Sequence, residues 1–208
     1  MSYLITFEGI DGSGKSTQVE LLSKWFAERE IPYICTREPG GTKLGKEIRT
    51  MLLSRTDLNI SPRTEELLFQ ADRAQHFHEI VIPALTGGTI VISDRCFDST
   101  LVYQADIASF HDIYHQSLFA TRGRSPDLTF LLDLDPQSVD ARLSSRLNNN
   151  KFDQKDSQWY QNLAKEFRQY ANHISRERIK VIDADRSKEE VHQDVLQYVR
   201  QLLAAKEN

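Results

Sequence analysis

The stretch "FEGIDGSGKST" at residues 7–17 places Gly9 and Gly14 on either side of a four-residue spacer, followed at once by Lys15 and Ser16. This spacing is that of a phosphate-binding loop, and it stands where such a loop must stand, after an apolar run and before a helical one. Glycine lets backbone N–H groups turn inward on phosphate oxygens. The helix that follows points its N-terminus at the same anion. The stretch Gly9, Ile10, Asp11, Gly12, Ser13, Gly14, Lys15, Ser16 and Thr17 is therefore expected to hold a nucleoside triphosphate, with Lys15 reaching the β- and γ-phosphates and the Ser16 hydroxyl on Mg²⁺. A GTPase is the first rival, because "NKFD" at residues 150–153 fits a guanine-reading pattern. Polar "SSRLNN" precedes it instead of an apolar strand, and Asp94 opens "DRCF", not a DxxG switch, so the rival is set aside.

These residues must be held by a sheet. Five short runs, "YLITF", "PYICT", "TIVIS", "LTFLLD" and "IKVID", read as strands separated by longer helical stretches. Apolar runs without alternation suit a sheet covered on both faces, so the expectation is an α/β fold with a parallel sheet and right-handed crossovers. Helices are expected to begin near Ser16, Gly45, Pro62, Pro136, Asp156 and Ser187, the last with an N-cap and acids in its first turn. The polar segment at 142–157, "RLSSRLNNNKFDQKDS", lacks apolar periodicity and reads as an exposed loop or a mobile lid. The 208 residues form a single expected domain that includes it.

Composition narrows the partners. A net charge of -4 argues against a polymeric nucleic acid but leaves room for a small phosphorylated ligand served by local arginines. Cys35 and Cys96 form no CxxC pair, so neither a disulfide framework nor a zinc site is expected. No run is long enough to span a membrane and "MSYLIT" is unlike a signal peptide, so the expected location is the cytoplasm. The glycosylation pattern at Asn59 is then a chance match.

Three more segments, "TREPGGT" at 36–42, "LLFQADRAQH" at 67–76 and "DRCFDSTLVYQ" at 94–104, join the opening loop in fixed order. Together they resemble the thymidylate kinase family over nearly the whole chain. The resemblance implies a nucleoside monophosphate kinase-like fold with a mobile lid, ATP with Mg²⁺ as donor, and dTMP as acceptor. It implies that Arg95 and Arg49 take the acceptor phosphate, where a planar guanidinium matches phosphate oxygens. By the same resemblance Phe69 is expected to stack on the base, Arg73 to donate to a base carbonyl, and Gln104 to read N3–H with its two-faced amide. Tyr103 crowds the sugar 2′ position, Ser99 faces the same pocket, and Asp11 lies near the 3′-OH. Asp94 either holds Mg²⁺ through water or orients Arg95 by a salt bridge. Glu38 helps to place metal or acceptor, and Arg37 beside it either braces the loop with Glu38 or touches substrate.

Gly12 stands where some members of the family carry an arginine inside the loop. The resemblance is thus to bacterial-type enzymes, which draw the transition-state cation from the lid: Arg146 first, then Arg142, with Lys151 a further candidate and Asp153 approaching the acceptor. Cys96 stands where an aromatic residue or His is common, and "ADI" follows "YQ" where glycines are common. Asp183 to Arg186 fall beside the expected adenine site, although an ordinary strand-to-helix turn fits equally well. His111 and His115 share a helix face but lack an acid to complete a metal site, and Cys96 reads as a packed small side chain. A homodimer through packed helices is implied by the family alone.

Overall fold

The computed structural model describes residues 2–55, 57–139, 142, 156–173 and 177–205. Strands β1 (Leu4–Glu8), β2 (Tyr33–Arg37), β3 (Ile90–Asp94), β4 (Leu128–Asp133) and β5 (Ile179–Asp183) form one parallel sheet in the order β2-β3-β1-β4-β5. Each matches one of the five expected runs to within a residue. The order explains their composition. β1 lies between β3 and β4 and is buried at every position, whereas the edge strands β2 and β5 are only partly covered. Register decides where function can sit. Phe7 of β1 and Arg37 of β2 both align with Asp94 of β3, so the loops leaving these strands emerge side by side at one edge.

Around the sheet pack α1 (Lys15–Ala27), α2 (Lys43–Leu53), α3 (Pro62–His76), α4 (Ile82–Thr86), α5 (Phe97–Tyr103), α6 (Phe110–Ala120), α7 (Ser157–His173) and α8 (Lys188–Ala204). Polar caps start several of them. Ser61 accepts from Thr64 N with Pro62 in the first turn, and Ser187 with Glu190 makes the reciprocal box that "SKEE" predicts. The main core joins Phe7 and Phe130, stacked at 5.1 Å, to Phe26, Phe167 and Val195 on the covering helices.

The helices carry detail that periodicity did not give. The helix expected from Pro136 opens as a three-residue 3₁₀ turn capped by Asp135, and Val139 and Arg142 beyond it are α-helical. The segment before β3 also carries more helix than periodicity suggested. After α3 the chain widens into a π turn at Phe77–Val81, where Ile82 N reaches back to Phe77 O, just before Pro83. A proline ring cannot sit against the carbonyl one regular turn back, and a wider turn relieves that clash. Among the described residues no helix is long and apolar enough to cross a membrane.

Candidate active site

The loop after β1 is shaped by contact with its neighbours. Gly9 has φ 132°, and a Cβ there would lie 2.6 Å from Leu132 O of β4, so only glycine fits. Ile10 turns its side chain into the core and leaves its backbone to the loop. Lys15 Nζ donates to Gly9 O at 3.1 Å and Ile10 O at 2.8 Å. Burial, and then the nearby Arg95 guanidinium, hold its ammonium down at about 8. Engaging a phosphate requires Nζ to turn from these carbonyls toward the anion. Ser16 Oγ donates to Asp94 Oδ2 at 2.5 Å, and Thr17 lies exposed one residue on. These hard oxygen atoms beside a phosphate loop fit Mg²⁺, which binds through one or two protein oxygens and otherwise through water and substrate phosphates. Among the described residues no trio of His, Cys, Asp or Glu makes a separate metal site.

Arg95 has φ 72°, a conformation that costs a non-glycine residue energy, and its N–H is tied to Phe7 O at 2.9 Å. The bend aims its side chain across the sheet edge. Nη2 donates to Asp11 Oδ1 at 2.8 Å and to Tyr103 Oη at 3.1 Å, while Nη1 donates to Ser99 Oγ at 2.9 Å. Asp94 is turned to Ser16, so of the two roles expected for it the salt bridge to Arg95 is not the one formed; Asp11 takes that place. Beneath Arg95 lies Glu8, which sequence reasoning missed. Its Oε1 accepts from Cys96 N at 2.8 Å and Ser99 N at 3.3 Å, and its Oε2 accepts from Ser99 Oγ. Burial, and then the charge of Asp98, push the Glu8 carboxyl up to about 7. The signal was present: an acid at the end of a largely apolar strand, directly before the first loop glycine.

One cavity opens beside Arg95. Asp11, Glu38, Arg49, Phe69, Arg73, Arg95, Ser99, Tyr103 and Gln104, all expected at the acceptor, line it, whereas Arg37, for which substrate contact was one of two expected roles, is not among its lining residues. They arrive from the loops after β1, β2 and β3, from α2 and α3, and from α5 with its C-cap Gln104. Phe69 is half-buried on one wall. Gln104 is 3 % exposed and lines the same cavity. Arg49 Nη1 donates to Pro39 O at 3.0 Å. Burial and the neighbouring Arg37 and Arg95 lower its affinity for a proton, which marks a cluster of cations suited to an anion. Glu38 does not pair with Arg37, contrary to one expectation. Its oxygens accept from Arg73 Nε at 2.9 Å and face His76 Nδ1 at 2.8 Å, because the loop folds over α3.

Farther along the edge, Arg142 Nη2 donates to Ala184 O at 2.9 Å and Nη1 to Gly12 O at 3.4 Å, bridging the phosphate loop and the turn after β5. In that turn Asp185 accepts from Asp135 N at 2.7 Å and Arg186 pairs with Asp194. Arg146, Lys151 and Asp153 lie outside the described residues. His111 and His115 lie with ring centroids 4.2 Å apart, tilted by 52°, on α6. Cys96 is buried, and burial lifts its thiol well above the ordinary range, as for a packed side chain.

A family model described as thymidylate kinase matches residues 7–195. A thymidylate kinase of Carboxydothermus hydrogenoformans is 42% identical over 193 residues, covering 92% of this chain and 93% of that protein. One from Symbiobacterium thermophilum is 39% identical over 205 residues, covering 98% and 95%. The crystal structure of thymidylate kinase from Ehrlichia chaffeensis superposes with a TM-score of 0.74 at 31% identity, over 96% of this chain and 98% of that one.

Proposed function

This chain belongs to the thymidylate kinase family, and we propose that it transfers the γ-phosphoryl group of ATP to the 5′-phosphate of dTMP, giving ADP and dTDP. One observation carries the reading to particular residues. The Arg95 guanidinium touches both Asp11 of the phosphate loop and Ser99 and Tyr103 of the cavity, so donor loop and acceptor pocket meet at a single cation.

In-line phosphoryl transfer asks a protein for positioning and for charge neutralisation, with little covalent chemistry. Arg95 and Arg49 hold the acceptor phosphate. Lys15 leaves the Gly9 and Ile10 carbonyls and follows the moving group. Ser16 and Asp94 are the residues that hold Mg²⁺, which neutralises the donor phosphates when bound. The acceptor is itself an anion near pH 7, so no general base is assigned. Phe69 stacks on thymine, Arg73 donates to a carbonyl, and the Gln104 amide pairs with N3–H and its neighbouring oxygen. Tyr103 fills the space of a 2′-hydroxyl. The transition-state cation comes from the lid, with Arg146 the residue assigned to it.

Residues 1–208 work as one cytoplasmic domain, and a homodimer forms through the helices. Leu67 of α3 is 52% exposed and Phe119 of α6 is 88% exposed, with Leu44 and Met51 of α2 beside the same helix pack. Such a surface is costly to leave in water. A coupled ADP-release assay across all the nucleoside monophosphates tests the acceptor. Strong preference for dTMP is expected, and equal or better use of another monophosphate refutes it.

A further inference from the structure

His76 carries no role in the reaction as described, yet it is 1% exposed and both of its ring nitrogens are engaged. Nε2 lies 2.6 Å from Thr36 Oγ1 and Nδ1 lies 2.8 Å from Glu38 Oε1. An ionised carboxylate only accepts, so Nδ1 is the donor. The other Glu38 oxygen accepts from Arg73 Nε at 2.9 Å. Arg73 is held further by Gln70 Oε1 on Nη1 and Thr100 Oγ1 on Nη2, each at 2.8 Å. Glu38, Gln70, Arg73 and Thr100 are all at most 7% exposed. Arg73 nevertheless lines the acceptor cavity.

We propose that His76 is a positioning residue for base recognition: it fixes the Glu38 carboxylate, and Glu38 in turn fixes the plane of Arg73 at the cavity wall. This rests on the reading of that cavity as the thymine pocket. A carboxylate held at one oxygen can still rotate; held at both it cannot. His76 and Arg73 lie three residues apart on α3, so they share a face and reach the same Glu38. Glu38 itself comes from the loop after β2, and His76 and Arg73 together tie its two carboxylate oxygens to the last turn of α3. The loop is also shaped around the imidazole. A Cβ on Gly41 would lie 2.6 Å from His76 Cδ2 and 2.9 Å from Nε2, so glycine is what lets "EPGGT" lie flat on the ring. A buried guanidinium that loses alignment with its carboxylate forfeits most of its discrimination, because specificity from hydrogen bonds depends on geometry.

Two substitutions separate positioning from simple packing. In His76→Asn the amide nitrogen takes the place of Nδ1 and keeps the Glu38 contact. In His76→Gln it takes the place of Nε2 and keeps only the Thr36 contact. The readouts are KM for dTMP, KM for ATP, and preference for dTMP over dCMP, which presents an amino group in place of the O4 carbonyl. His76→Gln should raise KM for dTMP about tenfold or more and erode the preference similarly, with KM for ATP nearly unchanged. His76→Asn should stay close to the unaltered enzyme. Equal behaviour of the two variants, or a parallel rise in KM for ATP, overturns the assignment. An unaltered enzyme without preference for dTMP over dCMP overturns the pocket reading itself, a separate failure. Should neither variant fold, Thr36→Val leaves the Glu38 contact in place. An unchanged KM for dTMP there upholds the role, and a rise of about tenfold overturns it.

Discussion

Ser16 Oγ donates a 2.5 Å hydrogen bond to Asp94 Oδ2 across 78 positions of sequence, joining the first turn of α1 to the end of β3. The contact sets a hydroxyl and a carboxylate side by side at the phosphate loop. If the pair holds Mg²⁺, Asp94→Asn keeps an acceptor for Ser16 but removes the charge. The Mg²⁺ concentration for half-maximal activity should then rise about tenfold or more. A magnesium titration at saturating ATP and dTMP reads this directly. An unchanged requirement would leave Asp94 as a brace for Ser16 alone.

Lys15→Ala removes the ammonium that is to follow the transferred group. Loss of a charge-assisted contact made in the transition state should cost ~3 kcal/mol or more of barrier, about a hundredfold or more in kcat. Circular dichroism should show a folded protein, because the bonds of Lys15 among the described residues are to its own loop. A folded variant with near-normal turnover would remove the loop from the chemistry.

The five strands were legible because each is a compact apolar run, and so was the phosphate loop, because its spacing is set by backbone geometry. The acceptor residues were legible only through resemblance. Phe69, Arg49 and Gln104 are ordinary residue types, and nothing in their spacing shows that the β2 loop, α2, α3 and α5 close on one cavity. Glu8 and His76 escaped for a related reason: their partners, Ser99 and Glu38, lie far away in sequence. The π turn before Pro83 escaped because local patterns decide helix starts better than helix lengths.

Glu8 should leave a signature in the pH dependence of stability. Its carboxyl stands at about 7, raised from an ordinary 4.5 by burial and Asp98. The native protein therefore keeps a proton that the unfolded chain releases between those values. The contribution is full below about 4.5 and is lost as pH rises through about 7, on the order of 3 kcal/mol in total. Glu8→Gln cannot titrate. Its denaturation midpoint should fall less than that of the unaltered protein between pH 5 and about 8. Parallel curves would show that Glu8 is already ionised across the window.

Tyr103 has two separable features. Its ring packs against Trp159 at 5.9 Å and Phe167 at 6.0 Å, and its hydroxyl accepts from Arg95. Tyr103→Phe keeps the bulk, so preference for dTMP over its ribose counterpart should persist while KM for dTMP rises severalfold. Tyr103→Ala should relax the preference by about tenfold or more. The ratio of kcat/KM for the two sugars is the measurement. Equal use of both by the unaltered enzyme would refute steric exclusion.

The last prediction concerns the transition-state cation. A loose phosphoryl transition state spreads negative charge over the transferred group, and Gly12 has no side chain to meet it. Arg142 is already occupied on the donor side, bridging Gly12 O and Ala184 O. Its removal should weaken ATP, raising KM for the donor with a smaller effect on kcat. Arg146, four residues later in sequence, is the residue assigned to reach the moving group when the lid closes and shuts out water. Arg146→Ala should cut kcat about a hundredfold while ATP and dTMP binding change far less. Limited proteolysis should spare the segment at 142–157 more with a bisubstrate analogue than with either nucleotide alone. If Arg142→Ala instead carries the loss in kcat, the lid mechanism stands and the residue changes. If both variants turn over normally, Lys151 is the next cation to replace, and a normal Lys151→Ala as well would end the case for a lid-supplied charge.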